Sequence, residues 1–429
     1  MAWDLNTQGN CCGAPVADVP YLLMDFRRRL LNPIVGAAAA QFSRAGSGIY
    51  RGIDRVITQS PANMPDWESG PNGDVRGLLI ESSATNLCWP SSDTTHANFS
   101  LTGVTSSAPA ANSPDGGSNA CILTEDTSTG THRAQASIAA TAGVTYIFTV
   151  YVRALNRTRV ALFASGAAVT AGRTATFDLT AGTLANSSGV LRGAMIEAVD
   201  ALGGGWYRIG MSLAPENTGT LNLFACGDDG TGLTYTGSGT GAFRTWGWDI
   251  RVGAFFGSHI PTTNAPAASA SEFCSLSSVV AGFTSGSGTI LVEAFAPRAT
   301  ASTDLTLLAI DDGTASNRHI LRVNNSGLLR YAVGRAGVTQ VGDINSAATA
   351  ITGGLRFAAA IRYNASDFAL CVNGSAPLTL ASGTPPSAHN TITIGGASGG
   401  LTSWAAPISR VAMFSRAMND AELQLLTAA

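Results

Sequence analysis

Strict alternation of apolar and polar side chains is the dominant pattern of this chain. Over residues 144–153, Val144, Tyr146, Phe148, Val150 and Val152 fall on one side, and Thr145, Ile147, Thr149, Tyr151 and Arg153 on the other. A period of two sustained over ten residues predicts a strand. Similar runs at Thr174–Leu179, Trp206–Leu213, Leu221–Cys226 and Phe243–Val252 are separated by Gly/Ser/Thr turns with no helical pattern between them. They predict an antiparallel β-sandwich over residues 85–263, with Trp246 and Trp248 on one face. A small-residue linker, 264–271, leads to a second strand-rich region, 272–429. Its runs are Gly288–Phe295, Leu305–Ile310, His319–Val323, Leu355–Tyr363 and Phe368–Asn373. Asn373-Gly374 is a type I′ hairpin signal. Asn419 and Glu422 form a capping-box pair opening a short final helix, with Leu423 and Leu426 on one face. Residues 1–84 read as an irregular N-terminal arm and lead-in, too dense in Gly, Pro and Asn for a helix. An arm too small to fold alone packs on something else.

Composition narrows the picture. Charged residues are 12% of the chain, the formal charge is −3, and all 25 basic residues are arginine. That balance gives no electrostatic footprint for nucleic acid. No run of about 18 apolar residues exists, so no membrane span is expected. The opening Met1-Ala-Trp-Asp-Leu-Asn lacks the basic and apolar regions of a secretory signal. The seven cysteines form no Cys-x-x-Cys and no His lies at ligand spacing from them. For the adjacent Cys11-Cys12, reduced thiols in a terminal arm stand against an intersubunit bond or a metal pair. Cys88, Cys121, Cys226 and Cys371 lie in or beside strand-like runs, as small buried hydrophobes do.

The search for chemistry returns no catalytic arrangement. Glycoside hydrolysis needs two convergent carboxylates, and Glu293 stands alone on its strand. Gly396-Ala-Ser-Gly-Gly400 matches a nucleophile elbow in letters but lacks the strand–turn–helix setting. No cofactor is implied; Asp311-Asp312-Gly313 could hold a structural Ca²⁺, against the plainer reading of a solvated turn. Sugar binding uses aromatic faces for stacking and amides for hydroxyls. Trp89, Tyr235 and Trp404 lie in turn-rich loops and are the carbohydrate-binding candidates, with packing or subunit contact the competing role. In the arm, Tyr21, Phe26 and the run Arg27-Arg28-Arg29 are candidates for gripping an acidic partner surface.

Several short motifs occur in one order: Phe42-Ser-Arg-Ala45, Pro61-Ala-Asn-Met-Pro-Asp-Trp67 and Arg76-Gly-Leu-Leu-Ile-Glu-Ser-Ser-Ala-Thr-Asn-Leu87. Gly205-Trp-Tyr-Arg-Ile209, Thr245-Trp-Gly-Trp-Asp-Ile-Arg-Val252 and Ser258-His-Ile-Pro-Thr-Thr263 follow them. Together they resemble a family of tailed-phage virion surface proteins, head spikes and tail fibres with a carbohydrate-binding-module-like β-sandwich; His259 stands where that family usually has Tyr. Farther on, Val372-Asn-Gly374, Ile392-Thr-Ile-Gly395, Ile408–Ala417 and Asp420-Ala-Glu-Leu423 resemble a concanavalin A-like, laminin-G-type domain. The fold expected is thus all-β, two antiparallel jelly-roll sandwiches in tandem after the arm. The resemblance implies a non-enzymatic virion surface protein made in the host cytoplasm, a homotrimer or other homo-oligomer. Its partners would be capsid, portal or tail-adaptor proteins through the arm, and host-surface polysaccharide. A ligand-free structural spacer and a glycan-cleaving spike are the alternatives.

Overall fold

The computed structural model describes residues 19–46, 48–52, 56–70, 73–199, 205–253, 255–297, 304–324, 326–347, 350–397 and 403–428; Cys11 and Cys12 lie outside them. The fold is nearly all β and every sheet pairing is antiparallel. The one α-helix among the described residues, Asp420–Thr427, opens on the full Asn419–Glu422 capping box. Asn373 and Gly374 both adopt positive φ, as a type I′ turn requires.

The first sandwich packs two six-stranded sheets. One runs Gly193–Ala198, Trp206–Leu213, Tyr146–Ala154, Gly241–Val252, Cys121–Glu125, Val104–Ser106. The other runs Thr183–Ser188, Arg173–Asp178, Arg159–Ser165, Gly219–Asp228, Arg133–Ala140, Phe99–Thr102. Tyr146, Phe148, Val150 and Val152 enter the core between them, as the alternation predicts. Trp246 and Trp248 do not share a face. A register shift opposite Val150 leaves Gly247 at φ +63°, and such a bulge turns neighbouring side chains apart. Trp248 therefore joins the sandwich core, whereas Trp246 packs with Tyr151 and Trp206 on the other side of the sheet.

The second sandwich corrects the reading of the arm. Leu22–Asp25 pairs with Ala406–Phe414, and so does Val75–Ile80, which in turn carries Asp66–Ser69. Gln41–Ser43 edges the opposite sheet by pairing with Phe273–Ser277. Leu22, Met24, Phe26, Phe42, Leu78 and Ile80 are all part of this sandwich's core. The segment 22–80 thus supplies strands to a sandwich whose remainder begins near residue 272, and residues 85–263 are inserted between the parts. The linker is tied down too: Ala267–Ser269 pairs with Ala84–Asn86. Gly77 explains why the segment looked irregular. It sits at φ +139°, and a Cβ there would collide with the Ile408 carbonyl oxygen, so a glycine is needed in mid-strand.

The lead-in motifs converge on one buried side chain. Arg44 is 0% exposed. Its guanidinium donates to Asp66 Oδ2 at 2.6 Å, Glu272 Oε1 at 2.9 Å, Ser60 Oγ at 2.6 Å and the carbonyls of Gly46, Pro61 and Met64. Asn63 accepts from the Arg44 backbone N–H at 3.0 Å. Glu272 takes the Glu81 backbone N–H through its second oxygen, and Glu81 takes that of Ser258. Asn86 donates to the carbonyls of Trp248 and Ile260 and accepts from Cys88 and Ile250. Every motif of the lead-in therefore serves the junction between the sandwiches.

The second core also holds His319, 1% exposed, bonded to Tyr331 Oη at 2.9 Å and packed on Tyr363 and Phe283. Burial, with His389 nearby, pushes its pKa down from 6.5 to about 3. It is therefore neutral at pH 7, and the unfolded chain binds a proton the native state refuses between those values. Stability should fall as pH drops from about 6.5 towards 3, at up to about 1.4 kcal/mol per pH unit from this group. His319→Gln should flatten that acid limb in urea titrations at successive pH values; an unchanged slope would refute the assignment. Separately, Arg44→Ala should cost about 3–5 kcal/mol by leaving Asp66 and Glu272 buried without their cation, measurable as a lowered urea midpoint.

Candidate functional site

Two sheets of the first sandwich present outer faces, and they differ. The face of the sheet containing Tyr146–Ala154 is partly covered: Tyr151, Trp206 and Trp246 pack against Ile49 and Ile57 of the lead-in. The opposite sheet turns Ala134, Leu162, Ala175, Leu223 and Ala225 inward, and its outer residues are free of the second sandwich's core.

Strand register places those outer residues in rows. Thr174, Phe163, Phe224, Gln135 and Ser100 lie directly across from one another on five successive strands. Ser165, Asn222 and Ser137 form the adjoining row. Directly opposed residues share a face and touch. Phe163 and Phe224 have ring centroids 5.4 Å apart, and the Arg133 guanidinium lies 4.3 Å over the Phe224 ring. Asn222 Oδ1 accepts from Ser137 Oγ at 2.8 Å and from Gln135 Nε2 at 3.2 Å. Phe163 and Gln135 remain partly exposed and Ser137 is exposed.

Trp89 adjoins this strip. It is partly exposed, packs on His96 with centroids 5.4 Å apart, and lines a cavity of about 200 Å³ with Asn98, Ser137 and Ile138. Asn98 donates to the Trp89 carbonyl at 2.8 Å. Two partly exposed aromatics, two amides and a hydroxyl thus occupy one continuous surface. An aromatic face offers an apolar platform, and fixed amides offer both donors and acceptors. That chemistry suits a polyhydroxylated ligand with one apolar side.

The other predicted residues fall elsewhere. Trp404 is fully buried, donating to the Phe295 carbonyl and packing on Phe357. Tyr235 is 5% exposed, stacked on His132 and donating to Glu125 Oε1 at 2.6 Å. Neither offers a free face to a sugar: Trp404 is folded into the second core, and Tyr235, on the short strand Thr234–Thr236, is covered by His132 and Arg157. Burial opposes ionisation of Glu125, but Arg157, Tyr235 and Ser238 all donate to it and hold its pKa at about 2. Phe26 is a core residue and Tyr21 packs against that core. Arg27 turns back to Asp25 at 2.7 Å, and Arg28 and Arg29 are exposed. Asp311 and Asp312 accept from loop groups, Gly313 in the first case and Thr314 and Asn317 in the second. Among the described residues no three His, Cys, Asp or Glu side chains converge as a metal ion would require. Glu293, the lone strand carboxylate, accepts from Arg356 and Arg410.

Phe163, Phe224, Gln135 and Asn222 were not singled out from the sequence. Their signal was present: Leu221-Asn-Leu-Phe-Ala-Cys226 sets Asn222 and Phe224 on the face opposite its leucines. What alternation alone lacks is the cross-strand partner that makes a row.

Residues 272–424 match the family model of the concanavalin A-like lectin/glucanase superfamily, in its laminin-G type. No sequence among curated proteins matches the chain. Among solved structures, the chain is similar to the CBM40 of the Ruminococcus gnavus IT-sialidase bound to α2,3-sialyllactose, at 17% identity and a TM-score of 0.30 over 35% of this chain and 88% of that one. It is also similar to leech intramolecular trans-sialidase, at 17% identity and 0.29 over 35% and 25% of the two chains. The NanB sialidase of Streptococcus pneumoniae follows, at 16% identity and 0.28 over 33% and 24%.

The Glu125 cluster has a purely structural signature that can be measured. Tyr235→Phe removes one hydrogen bond to a charged carboxylate and should lower stability by about 1.5–3 kcal/mol. A denaturation midpoint equal to wild type would show that Tyr235 is not part of the network.

Proposed function

We propose that this protein binds glycans through the outer face of its first sandwich. One observation carries the reading: Gln135, Ser137 and Asn222 form a hydrogen-bonded polar cluster on the surface that also bears Phe163 and Trp89. Ring stacking on Phe163 or Trp89 would place the hydroxyls of a neighbouring sugar over the amides. The lectin/glucanase match of the second sandwich supports a carbohydrate context for the whole chain.

The finer assignment rests on the resemblance of the lead-in and of the 205–263 phrases to tailed-phage surface proteins. It makes the protein a virion surface component, a head spike, fibre or decoration subunit, homo-oligomeric and in contact with host polysaccharide. The junction built by the lead-in motifs also suits a ligand-free spacer, since a clamped pair of sandwiches transmits position well. A glycan-cleaving role finds no support in Glu293, whose carboxylate two arginines occupy.

Purified protein should bind at least one class of bacterial surface polysaccharide on a glycan array, saturably. Trp89→Ala and the Gln135→Ala/Asn222→Ala pair should each weaken that binding at least ten-fold, about 1.4 kcal/mol, with little change in melting temperature. Binding that survives both changes would move the site elsewhere, and no binding to any glycan would favour the spacer. Immunogold labelling of particles in the producing lysate tests location: unlabelled particles would remove the virion assignment.

A further inference from the structure

The covered sheet of the first sandwich carries an arrangement that the glycan reading does not use. On its outer face Arg153 of Tyr146–Ala154 lies directly opposite Arg244 of Gly241–Val252. Antiparallel neighbours in this position stand roughly 5 Å apart at Cα, and like charges so placed repel. Other arginines of the sandwich are matched with carboxylates: Arg157 with Glu125, Arg159 with Asp178, Arg173 with Glu216. Here, among the described residues, neither arginine has an ion-pair partner. Two acids of the same sheet are already engaged, Glu197 by Arg51 and Glu125 by Arg157.

Further donors in this region are unmet. Arg244 Nε is buried without a hydrogen-bond acceptor. In the next row of the same face Trp246 is 4% exposed and its indole N–H is likewise unpartnered. The row itself continues into apolar side chains, Ile122 beside Arg244 and Trp206 beside Arg153. Arg153 and Arg244 are each partly exposed, so the face meets solvent at this point. Two planar cations, an unused N–H and an apolar collar are what binding an oxyanion requires: paired charge, fork-shaped donors and a lowered local dielectric.

We propose that Arg153 and Arg244 form a binding site for an oxyanion group, a carboxylate, sulfate or phosphate, on the sheet opposite the amide row. Such an anion would remove the repulsion between the two strands and fill the vacant donors. It could arrive as a free inorganic ion or as the acidic substituent of a polymer.

The test uses the full chain at fixed ionic strength. Sodium sulfate, replacing chloride, should raise the melting temperature along a saturating curve, and isothermal titration should give a one-site isotherm for sulfate. Arg244→Gln and Arg153→Gln should each weaken that binding at least ten-fold, while Gln135→Ala/Asn222→Ala leaves it intact. Both arginine variants should fold, because each removes one of two like charges paired across the strands. Titration with polyglucuronate oligosaccharides, with and without sulfate, separates the sources. Mutual competition identifies an acidic polymer as the occupant; sulfate binding alone identifies a free anion. A non-saturating sulfate response, or responses identical in wild type and both arginine variants, would overturn the site. None of these outcomes depends on whether the amide row binds a glycan.

Discussion

A guanidinium sealed from water must satisfy all five of its N–H donors, and the architecture of this protein follows from how Arg44 does so. Its acceptors come from the turn at Gly46, from the 60–66 stretch, and from Glu272 more than two hundred residues away. Meeting all of them folds the lead-in into a compact unit and fastens it to the place where the second sandwich resumes. The clamp then extends: Glu272 takes the Glu81 N–H, Glu81 takes the Ser258 N–H, and Arg251 donates to the Ser258 carbonyl and to Asp249. Burial, together with the mutual repulsion of Glu81 and Glu272, raises the pKa of Glu272 well above the ordinary carboxylate range.

This clamp decides which surfaces remain for function. By drawing the hairpin of Gly48–Arg51 and Ile57–Ser60 against Tyr151, Trp206 and Trp246, it covers part of one outer face of the first sandwich. The opposite sheet is left with its mixed aromatic and polar rows outermost, from Ser100 across to Thr174. A sandwich inserted into another has its entry and exit, near Ala84 and Ala267, held side by side. Its free sheet is therefore presented at a defined angle to the second sandwich, which suits either ligand capture or spacing.

Much of the fold was legible because alternation is a local property. Val144–Arg153 announces both its strand and its faces, and Asn419 with Glu422 announces the helix start. The lead-in was not legible as strand because its elements are three to six residues long, broken by Pro61 and Pro65, and carry Gly77 where Ile408 approaches. Their partners, such as Met413 for Leu22, lie almost four hundred residues away. Trp246 and Trp248 show the same limit at a single step, since one bulge residue reverses a face that counting by twos would assign. Of the aromatic candidates, Trp89 reaches the surface while Tyr235 and Trp404 do not. Turn-rich sequence marks a loop but not whether its aromatic folds back over the core.

Arginine, the chain's sole strong base, serves two ends here. Arg44 and Arg251 are each 5% exposed or less and sit among carboxylates and carbonyls, so their charge is spent on joining segments. Arg133 lies over Phe224, and Arg153 faces Arg244, with no carboxylate to compensate either arrangement among the described residues. An uncompensated cation next to apolar surface keeps its field, because fewer water dipoles screen it than at a fully solvated position. With so few charges in the chain, the arginines left unmatched are where an outside anion gains most from contact. The matched ones determine the shape of the molecule, and the unmatched ones determine what that shape can hold.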